Sequence, residues 1–251
     1  MIIIPMAGES RRFREAGFTQ PKYMLPLLDR SLFAWSVGSF EHYFGSEPFA
    51  FILLKTQGAR PFVQAEIDKL GIQETHIVEL DAPTTGQAMT VERGLEALAA
   101  LAESSPITIF NIDTIRPDYR KPAMLGDAAG YLEVFRGPGE HWSFVEPGPP
   151  GAKEHSVART TEKERISDLC CTGLYYFDSG ARYAQALAAQ RALAGGGRVK
   201  GEEYVAPIYN RLIEVGCDIR YQVIDRSEVE FSGVPSEYHE LQAKWAQPKA
   251  E

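Results

Sequence analysis

Cysteine is scarce in this chain and poorly spaced for bonding. Of 251 residues three are cysteine, Cys170, Cys171 and Cys217. The number is odd, two are adjacent, no CxxC pair occurs and no histidine stands at ligand spacing, which excludes a disulfide framework and the usual structural zinc patterns. Positive charge is short as well: 26 Lys and Arg face 34 Asp and Glu, for a formal net charge of −8. Nucleic acid and anionic membrane both need a concentrated positive field, so a broad surface for either is excluded, and phosphate must be met by a local basic pocket. Long apolar runs are missing. The opening MIIIPMAG is too short to span a bilayer, and Arg11-Arg12 follows it rather than preceding it, so it reads neither as a span nor as a secretory signal, and a cytoplasmic location is expected. Two phosphate-binding strings, GxxxxGK[ST] and GxGxxG, do not occur.

What is present is ordinary globular composition, 44% hydrophobic and 24% charged, on a chain long enough for a sizeable core. Ile2–Ile4 is a short β-branched run that ends in a Pro/Gly-containing loop, as a buried parallel strand would. A helix over Ser31–Tyr43, capped by Ser31, precedes a strand at Phe49–Lys55. The alternation continues with a helix near Arg60–Leu70, a strand at His76–Leu80, a helix over Gln87–Ala102 and a strand at Ile107–Ile112. Strands at Ala129–Phe135, Leu174–Phe177 and Ile219–Ile224 and helices at Ala181–Leu193 and Tyr204–Val215 follow, and the Gly/Pro-rich stretch Gly137–Ala152 reads as a long loop or flap. Such alternation predicts one α/β domain of three layers, α/β/α and Rossmann-like, around a mixed, mostly parallel sheet. In such sheets ligands gather beyond the carboxyl ends of strands, where Ala7–Arg12 and Asp113 are expected.

Four clusters carry candidate chemistry. Ala7-Gly8-Glu9-Ser10-Arg11-Arg12-Phe13, followed by Pro21-Lys22, is a small-residue loop whose amides, Arg fork and Lys point charge could meet phosphate; on its own an exposed basic turn is an equal reading. Asp81–Ala88 turns into a helix whose first amides are free, with Thr84 or Thr85 a candidate cap. Asp113 ends an apolar strand, where a carboxylate is costly unless paired; Mg²⁺ with its phosphates is the partner the other clusters point to, and a loop-capping Asp is the alternative. Glu162-Lys163, on composition alone, is a solvated surface pair.

The order of these segments is similar to that of the sugar-phosphate nucleotidyltransferases of GT-A-like fold, the thymidylyl-, cytidylyl- and uridylyltransferases. AGESRRF and QPKYMLPL stand for the signature AGxGxRF…PK, with Ser10 where the family usually has Gly. TEK followed by IS and TGLYYF resembles the EKxxIS…GxYYF of shorter, capsule-type members. EEYVAPIYN and FSGVPSEY resemble two further segments, with Phe231 where many members carry a second metal-binding Asp; Glu230, Asp225 and Glu228 stand nearby. The resemblance spans residues 1 to 241. It implies that Ala7, Gly8, Glu9, Ser10 and Arg11 wrap the NTP phosphates, that Arg12 contacts the β/γ-phosphates, and that Lys22 contacts the α-phosphate and the incoming phosphate. It further implies that Pro83, Thr85, Gly86 and Gln87 lie at the nucleobase, that Asp113 holds Mg²⁺, and that Glu162, Lys163 and Gly173 meet the acceptor.

The expected activity is therefore transfer of NMP from an NTP to a sugar phosphate or similar small phosphate ester, with release of pyrophosphate, in the making of surface polysaccharide precursors. Residues 1–115 are expected to form the NTP half, 116–241 the acceptor half and 242–251 a tail frayed at Gln247–Glu251. The partners implied are the NTP and the phosphorylated acceptor, with room for a homo-oligomer and none for nucleic acid or membrane. CTP is favoured over UTP and dTTP on the capsule-type resemblance alone. Two alternatives stand: a GT-A glycosyltransferase with Asn111-Ile112-Asp113 as a degenerate DxD, and a non-catalytic nucleotide-binding relative.

Overall fold

The computed structural model describes residues 1–247. The fold is α/β with a mixed sheet flanked by helices, in two compact units that the chain enters more than once. One unit comprises Met1–Ile3, Thr84–Phe110 and Lys121–Arg226; the second comprises Ile4–Pro83, Asn111–Arg120 and the chain from Ser227 onward. The expected tail, 242–251, begins inside a helix, because Pro235–Ala246 continues through 241; residues 248–251 lie outside the described residues. No described helix is long and apolar enough to cross a membrane.

In the second unit, strands Phe49–Leu54 and Thr75–Leu80 pair in parallel in register Phe49↔Thr75 through Leu54↔Leu80, joined by helix Arg60–Leu70. All six residues of FAFILL are buried, which explains why this strand shows no alternation. The helix opens with Pro in its first turn and closes on Gly71 in the left-handed region, the favoured asymmetry of start and stop. The expected Ser31 cap is present, its Oγ accepting from Ala34 N–H at 3.0 Å, but the α-helix ends at Gly38 and a separate 3-10 turn covers Glu41–Tyr43. Phe13, Leu25, Leu27, Leu32, Ile115, Tyr238 and Leu241 form the apolar cluster beneath the phosphate-loop candidate.

In the first unit, Leu169–Phe177 runs antiparallel to Ile107–Phe110 and to Gly130–Arg136, while Ile219–Ile224 pairs in parallel with Gly130–Arg136. Phe177 stacks on Tyr209, centroids 4.4 Å apart, and fixes helix Tyr209–Glu214 against this sheet. Three expectations are corrected. The stretch 137–152 contains a strand, Ser143–Pro147, hairpin-paired with Val157–Glu162. Its partner's alternation is interrupted by a register shift between Val157 and Arg159, so neither strand shows a clean period in sequence. The helix over 87–102 breaks at Leu98 into Gln87–Ala97 and Ala99–Ala102. The strand expected from Leu174 begins at Leu169, across an irregularity between Cys171 and Tyr175 that holds Gly173 at φ 94°.

Candidate active site

The loop after the first strand carries the strongest local signature. Ser10 sits at φ 52°, ψ 37°, the left-handed region that favours glycine. The serine thus stands in a conformation that glycine adopts readily. It also adds a tie that glycine lacks, because its Oγ accepts from the Lys22 N–H at 3.3 Å. From Ser10 the chain enters a short helix, Arg11–Glu15, anchored by buried Phe13. Ala7 is buried at its base; Gly8 and Glu9 are exposed. Arg11 pairs weakly with Glu15 at 3.6 Å on the surface. Arg12 is exposed, and its guanidinium has no ion-pair partner among the described residues.

Lys22 and Asp113, ninety-one residues apart, meet: Lys22 Nζ donates to Asp113 Oδ2 in an ion pair whose side chains are 19% and 24% exposed. Asp113 lies in the turn after Ile107–Phe110, and Ser232 holds its carbonyl through the backbone N–H (2.8 Å) and Oγ (3.1 Å). Gly233 follows, and a Cβ there would stand 3.0 Å from Asp113 Oδ2, so a side chain at this position would crowd the carboxylate. Phe231 pairs with Thr114, beside Asp113. The acidic residues near it in sequence are otherwise engaged. Glu230 pairs with Lys244, Glu228 with Arg116 at 3.1 Å, and Glu237 accepts from the Gly233 and Val234 amides at 2.8 and 3.2 Å; Asp225 belongs to the first unit. Among the described residues, three metal-donor side chains within reach of one another are found at Glu41, His42 and Asp118, an exposed group in which Asp118 already pairs with His42 and, at 3.4 Å, with Arg120.

Sequence reading missed Gln57. Its Nε2 donates to Gly8 O at 2.9 Å, and its Oε1 accepts from Tyr23 OH at 3.0 Å, tying the loop to the turn that carries Lys22. Gln57 sits in a polar 3-10 turn, Lys55–Gln57, with no motif around it to mark it.

Pro83 closes a segment of the second unit and is exposed, whereas Thr85, Gly86 and Gln87 belong to the first. Neither Thr84 nor Thr85 caps helix Gln87–Ala97. Gly86 is the N-cap, and Thr84 Oγ1 donates to the Gly86 carbonyl at 3.1 Å. Gly86, at φ 152°, has no room for a side chain: a Cβ would lie 2.4 Å from Glu203 O.

Glu162 ends strand Val157–Glu162 and is buried, not solvated as composition alone would have it. Ser143 Oγ donates to its Oε2, and Lys163 Nζ lies 3.8 Å from Oε1. Burial pushes its carboxyl above the usual range, against the opposing pull of Ser143 and Lys163. Lys163 adopts φ 55°, its N–H donating to Trp142 O at 2.8 Å, and its ammonium meets Tyr204, whose hydroxyl in turn donates to Glu202. A non-glycine residue held in the left-handed region costs on the order of 1 kcal/mol, and such residues cluster at functional sites. Gly173 lies in strand Leu169–Phe177, which Ser143–Pro147 separates from Val157–Glu162, with the Thr172 hydroxyl bonded to buried Glu133 at 3.2 Å.

Comparison with known proteins bears on the fold and the family. The crystal structure of the nucleoside-diphosphate-sugar pyrophosphorylase from Vibrio cholerae RC9 is 46% identical, covers 97% of this chain and 100% of its own, and superposes with a TM-score of 0.91. The inositol-1-phosphate CTP transferase from T. maritima (16% identity, 100% and 97% coverage, TM-score 0.70) and the UTP-bound UGPase from Acinetobacter baumannii (14%, 99% and 94%, 0.67) share the fold. No protein-family model and no curated protein matches the chain. The fold is thus that of the sugar-phosphate nucleotidyltransferases. Within that class, the chain belongs to the nucleoside-diphosphate-sugar pyrophosphorylase family.

Proposed function

We propose that this chain joins the NMP part of an NTP to a sugar phosphate, or a similar small phosphate ester, and releases pyrophosphate. The observation that carries this reading is the Lys22–Asp113 pair beside a left-handed Ser10 loop with an unengaged Arg12: two cationic side chains and one carboxylate, arranged for a polyanion and its counter-ion. An oxygen of the acceptor phosphate attacks the α-phosphorus. The new O–P bond forms as the bond to the β-phosphate oxygen breaks, and the electron pair leaves with pyrophosphate. No protein nucleophile is needed, so catalysis consists of positioning two repelling anions and offsetting their charge. Ala7–Arg11 supply the loop around the phosphates, Arg12 meets the β/γ-phosphates, and Lys22 exchanges Asp113 for the α-phosphate. Pro83, Thr85, Gly86 and Gln87 meet the base, with CTP favoured.

A hard divalent cation suits this donor set, since Mg²⁺ is typically held by one or two carboxylates and completed by water and phosphate oxygens. Asp113 would hold it. The cation would supply charge neutralisation at the phosphates. Glu162, Lys163 and Gly173 hold the acceptor, in an enzyme working in the cytoplasm on surface polysaccharide precursors. The test is the fate of label: ³²P from the α-position of the NTP should appear in a sugar nucleotide and ³²P from the γ-position in pyrophosphate. Retention of both labels in one product would defeat the reading.

On the acceptor side, Glu162→Gln should leave NTP affinity unchanged and raise the acceptor KM about tenfold, as expected for losing hydrogen bonds to a charged group. Its effect on stability should run the other way. A carboxyl whose folded pKa is raised binds its proton more tightly folded than unfolded, so its stabilising effect is fullest below the ordinary carboxylate range and is lost as pH rises through the folded pKa. Melting curves across pH should therefore flatten in the Gln variant, which should melt no lower than wild type at neutral pH. A parallel loss of NTP affinity would remove Glu162 from the acceptor side.

A further inference from the structure

The segment assigned to the nucleobase is shaped from outside itself. Glu203 N–H donates to Thr85 O at 3.0 Å, and Ala88 N–H donates to Glu203 O at 3.0 Å, so the backbone of Glu203 brackets Gly86 and Gln87. The missing side chain at Gly86 is what admits it. Tyr183 OH adds a bond to Ala88 O at 2.8 Å.

Glu203 is itself buried, where an unpaired carboxylate would be costly. Arg191, in the last turn of helix Gly180–Arg191, pairs with it through Nε (2.9 Å) and Nη2 (2.8 Å). The same guanidinium reaches both oxygens of Glu92, through Nη1 at 2.6 Å and Nη2 at 2.8 Å. Arg198 stands farther off, 3.7 Å from Glu203. Glu92 lies on the helix that Gly86 opens. One planar fork thus fastens the residue that shapes the turn to the helix that the turn begins. A lysine, a point charge, could not hold two carboxylates in this way.

We propose that Arg191 is a positioning residue for base recognition: by clamping Glu203 to Glu92 it keeps Thr84–Gln87 in the form that reads the nucleotide. This rests on the proposed assignment of that segment to the nucleobase. It predicts a loss confined to the base-dependent part of binding, which a general weakening of the fold would not produce.

The test is calorimetric binding of CTP, UTP, dTTP and inorganic tripolyphosphate to wild type, Arg191→Met, Arg191→Lys and Gln87→Ala, each below its melting temperature. For Arg191→Met, NTP affinity should fall about tenfold, the equivalent of about 1.4 kcal/mol, with tripolyphosphate affinity unchanged. Arg191→Lys should fall between Met and wild type. If the Met variant does not fold, the Lys variant carries the same comparison, since it keeps the charge and one contact but not the bridge. Wild-type NTP affinity in the Arg191 variants, or an equal loss of tripolyphosphate affinity, would overturn the proposal. Gln87→Ala tells the two readings apart. Weakened NTP binding there, with none in the Arg191 variants, overturns the clamp alone, whereas no effect in any variant overturns the nucleobase assignment as well.

Discussion

Lys22→Ala should lower kcat by on the order of 10²–10³, the usual cost of removing a charge that acts mainly in the transition state. The fold should survive. Lys22 contributes its backbone N–H to Ser10 Oγ, which alanine retains, and its side chain contributes one partly buried ion pair with Asp113. Losing that pair should cost about 1 kcal/mol, within the range for pairs still partly open to solvent. The proposed exchange of Lys22 from carboxylate to phosphate predicts a second effect. Without the ammonium, Asp113 is free, so the variant should bind Mg²⁺ more tightly than wild type when no nucleotide is present. Steady-state kinetics together with calorimetric Mg²⁺ titration check both parts. Unchanged kcat would remove Lys22 from the reaction.

Asp113→Asn should act from the other side of the pair and be nearly as damaging, with turnover at fixed Mg²⁺ falling on the order of 10². The amide keeps the shape of the carboxylate and leaves the bonds from Ser232 to the Asp113 carbonyl untouched. It loses the charge that a hard cation requires. The acidic groups of this segment, Glu230, Glu228 and Glu237, are engaged by Lys244, by Arg116 and by the amides of Gly233 and Val234. The Mg²⁺ concentration for half-maximal rate should rise accordingly. A titration superposable on wild type would show that Asp113 does not hold the metal.

Much of the fold was legible because its elements carry their own periodicity. Helix Arg60–Leu70 has an amphipathic face and a Gly stop, Ile219–Ile224 has β-branched residues at both ends, and both stand where the sequence places them. Segments that depend on distant partners were not. Ser143–Pro147 is too short to declare a period, and its partner strand is bulged. Helix Pro235–Ala246 begins in a segment that resembles a motif, yet what fixes its start is Glu237 turning back on the amides of Gly233 and Val234.

The candidate site divides along the same line. The motif spacing named Lys22 and Asp113, and the fold brings them into contact across ninety-one residues. It did not name Gln57 or Arg191, because each acts through a neighbour: one through the carbonyl of Gly8, the other through the carboxylate of Glu203. Burial also reversed the reading of Glu162, since an exposed Glu-Lys pair and a buried carboxylate bonded to Ser143 are written with the same letters.

The central claim is attack on the α-phosphorus by a phosphorylated acceptor, and pyrophosphate release tests it most directly. The full chain is incubated with Mg²⁺, each of CTP, UTP and dTTP, and a panel of sugar 1-phosphates, while pyrophosphate and sugar nucleotide are measured together. At least one pairing should yield both in equal amounts, and the yield should collapse in Lys22→Ala. Consumption of a sugar nucleotide with transfer of its sugar, or nucleotide binding without pyrophosphate from any pairing, would contradict the account.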